Sequence, residues 1–219
     1  MKKKSTILPI VLFPILFVLL ISAIKGLEHF YDFSFVKYGV LPRHISGLKG
    51  ILFSPLIHSD LSHLTNNALP ILVLLMSVRY FYKSISTEVF VWSWLFSGFL
   101  LWTFARQNYH IGASGIIYAL SSFLFFSGLI RKHTKLMAVS MFVVFLYGSL
   151  VWGLFPLQER VSWEGHLTGA ISGLLLAFWF RKEGPPKQIY QYEIDEMVEE
   201  LAQKNPNVTY HYKEKNQNE

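Results

Sequence analysis

No cysteine occurs among the 219 residues, which excludes a structural disulfide, a thiol nucleophile and a thiolate-bound metal. Charge is scarce too, at 16% of residues against 52% hydrophobic, an unusual ratio for a water-soluble domain. Acidic groups are missing where a transporter would need them. Eight of the fourteen lie from Lys182 onward, and the other six (Glu28, Asp32, Asp60, Glu88, Glu159, Glu164) sit in loops or at the ends of apolar runs. With no carboxylate inside a run, nothing is available to carry a proton or cation across, which argues against a transporter or channel. No stretch interleaves basic and aromatic residues, so no nucleic-acid partner is expected, and no internal repeat is apparent.

What the chain has instead is long apolar runs. A bilayer core of ~30 Å takes about 20 apolar residues per helix. Six runs qualify or nearly do: Ile7–Ile24, Leu61–Val78, Val89–Ala105, Ile111–Ile130, Leu136–Leu157 and Gly165–Phe180. They predict an all-α fold, a polytopic bundle of six transmembrane helices over residues 1–181 in contact with the lipid bilayer. Residues 182–219 form an acidic C-terminal tail with a short helix over Ile189–Ala202. The first run, with Lys2–Lys4 before it, has the look of a signal peptide. It is long, however, and ends in Ile21-Ser22-Ala23-Ile24-Lys25, a poor cleavage site, so a retained helix is expected. Lys2–Lys4, Arg79, Lys83, Arg131, Lys132, Lys135, Arg181 and Lys182 fall on one side if six helices alternate. The positive-inside rule makes that side, and both termini, cytoplasmic, as in a bacterial inner (plasma) membrane protein. The first loop, Lys25 to Asp60, is rich in aromatic residues. It either lies in the membrane interface or folds over a small core of its own.

Polar residues in or beside the runs carry the chemistry, because lipid tolerates them only for packing or function. Gly112-Ala113-Ser114-Gly115 opens the fourth run. Its glycines clear space around the hydroxyl, and a helix beginning there aims unpaired amides at whatever forms on Ser114. Small residues also serve close helix packing, so the string alone is weak. In the sixth run His166, Gly169 and Gly173 share one helical face, nearly bare below the imidazole. With the fourth helix against that face, His166 reaches Ser114 as a general base and Tyr118, four residues on, packs on the ring. The plainer alternative is a glycine seam with a hydrogen-bonded histidine. At the mouth of the second run, His63 and Asn67 lie at i and i+4, two donors suited to an oxyanion or to a neighbouring helix. His58 and His63, five residues apart, point about 140° from one another on a helix, which disfavours a zinc pair.

Taken in order, His58…His63-xxx-Asn67, Gly112-x-Ser114-Gly115-xx-Tyr118 and His166-xx-Gly169-xxx-Gly173 resemble the rhomboid intramembrane serine proteases. The likeness covers roughly Leu41 to Arg181, although the Trp-Arg pair that many bacterial members carry in the first loop is absent. It implies a serine-type endopeptidase that needs no cofactor or metal and takes transmembrane proteins as substrates. Ser114 would be nucleophile and His166 base, with His63, Asn67 and the Ser114 amide as the oxyanion hole. Tyr118, Gly112, Gly115, Gly169, Gly173 and His58 would support them. Glu164, two residues before His166, reads as a loop charge. The rival is a binding protein that grips transmembrane helices without cutting them; such relatives usually lack the serine or the histidine, and both are present here.

Overall fold

A computed structural model describes residues 7–146, 153–157, 161–186 and 189–205. Lys2–Lys4, residues 147–152 of the fifth run, Glu159, Arg160 and the tail beyond Asn205 lie outside the described residues.

Among those residues the chain is all-α, with no strand and one isolated antiparallel bridge between Val40 and His110. The helices are α1 (Leu8–Phe30), α2 (Gly50–Phe53), α3 (Leu61–Phe81), α4 (Ser86–Phe104), α5 (Ser114–Ile130), α6 (Thr134–Leu146), α7 (Trp163–Trp179) and α8 (Gln191–Lys204). Each of the six apolar runs overlaps one of these helices. By length and hydropathy, however, only α1 and α3 of the described helices are sufficient to cross a membrane unaided. α5 falls short because Ile111–Ala113 stay outside it, and α7 is likewise 17 residues long.

α1 runs on to Phe30, six residues beyond the expected end, so the first loop starts later than Lys25. The charges that seemed to end the run are neutralised locally. Lys25 Nζ donates to Glu28 Oε2 at 3.1 Å and to the Ser59 carbonyl at 2.8 Å. Glu28, buried, also accepts from the Phe35 amide at 2.5 Å. The loop is ordered and pinned to α4: Trp94 and Trp102 indoles donate to the Ile51 and His44 carbonyls, and Arg43 donates to that of Ala105. One flank is buried at Val40, while Phe30, Tyr31, Phe33 and Ile45 stand exposed. The buried flank packs with Leu101 and Ala105 at the end of α4 rather than forming a core of the loop's own.

α5 is the central helix, packed against α3, α4, α6 and α7, with ten of its 17 residues buried. Its partnership with α7 is the most extensive among the described helices and depends on glycine. A Cβ at Gly169 would collide with the Gly115 carbonyl oxygen, and one at Gly173 with that of Ala119. The two backbones thus meet at a distance that only hydrogen permits, as small-residue seams do in membranes. Ser122 Oγ adds a bond to the Ala170 carbonyl, 2.7 Å, across the same seam. At the opposite end, the Arg131 guanidinium donates to the carbonyls of Phe180, Arg181 and Pro185, tying the end of α5 to that of α7. Beyond it, α8 starts two residues later than the pattern suggests, its entry braced by the Tyr190 amide donating to Glu193 at 3.3 Å.

Candidate active site

α3, α5 and α7 all begin at the same end of the bundle, and each begins with part of the candidate site. Ser114 is the first residue of α5. The turn before it needs Gly112, whose φ of +106° few other residues adopt. The Gly112 amide is bonded to the Ser54 carbonyl at 2.8 Å. The earliest bonds of α5 run from the Ile116 and Ile117 amides to the Ala113 carbonyl, so the Ser114 amide has no partner within the helix. Ser114, Gly112 and Gly115 line a small cavity on the α4 side, beside the hydroxyls of Ser54, Ser97 and Ser162.

His166 lies in the first turns of α7, one residue after Gly165. A Cβ on Gly115 would lie 3.5 Å from the Gly165 carbonyl oxygen, so Ser114 and His166 flank a close approach of the two helices. The imidazole is stacked on Tyr118, one turn below Ser114, with centroids 4.3 Å apart and planes within 12°. Its Nδ1 is 2.8 Å from the Gly153 carbonyl. A carbonyl only accepts, so Nδ1 carries the proton and Nε2 keeps a free lone pair, the tautomer a general base requires.

The His63 ring closes on the other side of the loop: a Cβ at Gly112 would sit 2.5 Å from His63 Nε2. The Ser59 amide, 3.5 Å from His63 Nδ1, can only donate. The Ser59 hydroxyl, 3.2 Å from the same nitrogen and already donating to Asp60 Oδ2 at 2.7 Å, can only accept, and Nε2 is the atom facing Gly112. Asp60 caps α3 by accepting from the His63 amide at 2.8 Å, which fixes the histidine's turn. Asn67 is buried and Asn66 exposed, as their 100° separation demands. One Asn67 Nδ2 hydrogen is bonded to the His63 carbonyl at 2.7 Å, and the buried Oδ1 has no partner.

His58 is almost wholly buried, with both ring nitrogens unpartnered, and meets His63 edge to face at 5.1 Å. Burial, with a smaller push from His63, holds its pKa down at about 3, so it is neutral. It stands behind His63.

Four contributors were not singled out from sequence. Gly153 sets the His166 tautomer. Ser162 caps α7, accepting from the Gly165 amide at 3.2 Å, and a serine just before a helical pattern is a signal that could have been read. His110 lines the cavity with Ser114. Glu164 is the correction: far from being a loop charge, it is buried in the first turn of α7 and paired with Arg106 Nε at 3.4 Å. That pairing neutralises it.

Apolar helices closed around a serine at one helix start and a histidine at the next describe an all-α bundle of membrane-protein character. The Rhomboid domain model matches residues 46–183, more than half of the chain, and the protein belongs to that family, in general intramembrane serine proteases. Uncharacterized proteins of Mycobacterium tuberculosis and Mycobacterium bovis are 33% identical over 155 residues, 64% of this chain and 62% of theirs. One from Mycobacterium leprae is 35% identical over 141 residues, 60% of this chain and 55% of its own. The matched region thus spans less than two thirds of these relatives' length.

Proposed function

We propose that the protein is an intramembrane endopeptidase that cuts transmembrane or membrane-adjacent segments of other proteins with a Ser114–His166 dyad. The observation that carries this reading is the His166 ring, stacked on Tyr118 one turn of α5 from Ser114, with Nδ1 on the Gly153 carbonyl and its Nε2 lone pair free. In the first step Ser114 Oγ bonds to the substrate carbonyl carbon while Nε2 of His166 takes the hydroxyl proton. Charge on the carbonyl oxygen is met by the Ser114 amide, His63 Nε2 and the second Asn67 amide hydrogen. His166 then returns the proton to the departing amine, and a water activated by the same Nε2 releases the acyl group. The polar cavity beside Ser114 is suited to holding such water.

The six helices α1 and α3–α7 are read as six spans. The exposed apolar side of α1 (Leu8, Leu12, Leu16, Leu19) is then lipid-facing. Arg79, Lys83, Arg131 and Arg181 mark the end opposite the candidate site. That favours a bacterial inner membrane with both ends of this chain cytoplasmic and the centre near the outer face. The test uses purified protein in detergent with a transmembrane substrate. Cleavage by the wild type and none by Ser114→Ala supports the reading, and cleavage by both overturns it.

A further inference from the structure

His110 lies in the loop between α4 and α5, four residues before Ser114, and is only 4% exposed. Its backbone is held on both sides by Val40, amide to carbonyl and carbonyl to amide, each 2.9 Å. Its ring spans two further segments. Nε2 is 3.0 Å from the Arg106 carbonyl, and Nδ1 is 2.6 Å from Ser162 Oγ. With the ring neutral, one pattern of protons satisfies all these partners. The Arg106 carbonyl accepts, so Nε2 carries the ring proton. Nδ1 then accepts, so the Ser162 hydroxyl proton goes to it while Ser162 Oγ accepts from the Gly165 amide as the cap of α7. The result is a directed chain: Gly165 N–H to Ser162 Oγ–H to His110 Nδ1, then Nε2–H to Arg106 C=O.

We propose that His110 is a positioning residue for His166, acting through Ser162 on the first turn of α7. The residue whose amide starts the chain, Gly165, immediately precedes His166, and its carbonyl oxygen is the atom nearest to where a Cβ on Gly115 would lie, at 3.5 Å. Any slack in that turn therefore appears directly as misplacement of the imidazole relative to Ser114. The same loop grips α7 a second time, with Arg106 Nε on Glu164 and Arg106 Nη2 on the Val161 carbonyl at 2.9 Å. The two groups whose charge reaches His110 are therefore Glu164 and Arg106. Burial lowers the His110 pKa first of all, which keeps the ring in the neutral form the chain requires; the Arg106 carbonyl and Glu164 work in the opposite direction.

This inference rests on the dyad reading, and the experiment separates the two. Full-length protein in detergent is labelled with a fluorophosphonate, and the limiting rate and half-saturating concentration are read separately, normalised to folded protein. His110→Ala and Ser162→Ala should each slow the limiting rate about ten-fold, with half-saturation unchanged, and the double variant should be no slower than either. Ser162→Thr should restore the rate while Ser162→Val, isosteric with Thr, does not, because only a hydroxyl can accept one hydrogen bond and donate the other. Wild-type rates per folded molecule in His110→Ala, multiplicative losses in the double variant, or equal rates for Thr and Val would overturn the proposal. Labelling of the wild type that persists in Ser114→Ala would remove the dyad, and this role with it.

Discussion

The imidazole of His166 lies flat on the ring of Tyr118, 4.3 Å between centroids. A base that must take a proton from Ser114 is useful only if its ring is held at one angle, and stacking fixes that angle while leaving both nitrogens free to bond. Tyr118→Ala should therefore cut turnover at least ten-fold. Tyr118→Phe, which keeps the face, should lose less. Turnover by folded protein checks this, and equal losses would assign the effect to the hydroxyl.

Ser114→Ala and His166→Ala should each abolish cleavage, and the double variant should be no worse than either, because nucleophile and base act as a unit. Single-turnover rates on one substrate decide it. Additive losses would mean that the two residues work apart.

Gly169→Ala and Gly173→Ala put a methyl against backbone oxygens of α5 that no rotamer change can move. Overpacking of this kind costs about 1–3 kcal/mol. Lowered melting with activity reduced in parallel is expected, most at Gly173, where the added carbon also meets the Phe123 amide nitrogen at 2.8 Å. Unchanged melting would show that the seam relaxes.

Asp60 accepts from the Ser59 hydroxyl and the His63 amide, and these two bonds hold its carboxyl below the ordinary carboxylate range. A depressed folded pKa contributes stability that is present above the unfolded value of ~3.9 and is lost as pH falls through the folded one. Asp60→Ala should cost about 1 kcal/mol at pH 7, the usual worth of a helix cap. The gap in melting between variant and wild type should narrow in acid. A gap that stays constant with pH would remove the cap from the account.

The parts of this arrangement that could be read in the sequence are those set by one helix's own geometry. Gly169 and Gly173 fall on the His166 face because of helical spacing, and that face does meet α5. The outward turn of Asn66 follows from the same rule. What could not be read depends on pairs distant in the chain. Glu164 looked like a loop charge because its neutralising partner, Arg106, is 58 residues away. His110 showed no local pattern, since its meaning comes from Ser162, 52 residues on. Residues 25–30 were misjudged for a similar reason. Lys25 looked like the end of a span until folding brought the Ser59 carbonyl to it.

Asn67→Ala should lower turnover by about 100-fold, the order seen when one oxyanion donor is removed. Asn67 is buried one turn below His63, and a single amide carries two hydrogens, one of them already committed to the His63 carbonyl. The same variant therefore also loses a bond within α3, worth about 1 kcal/mol, so melting and turnover must be measured on one preparation. Asn66, exposed and rotated by about 100°, supplies the control, and Asn66→Ala should change neither. Lost melting with turnover per folded molecule retained would make Asn67 a brace for the His63 turn. The oxyanion would then be left to His63 Nε2 and the Ser114 amide. A large loss at Asn66 with none at Asn67 would mean that the donor approaches from the outer face of α3, against the buried position of Asn67.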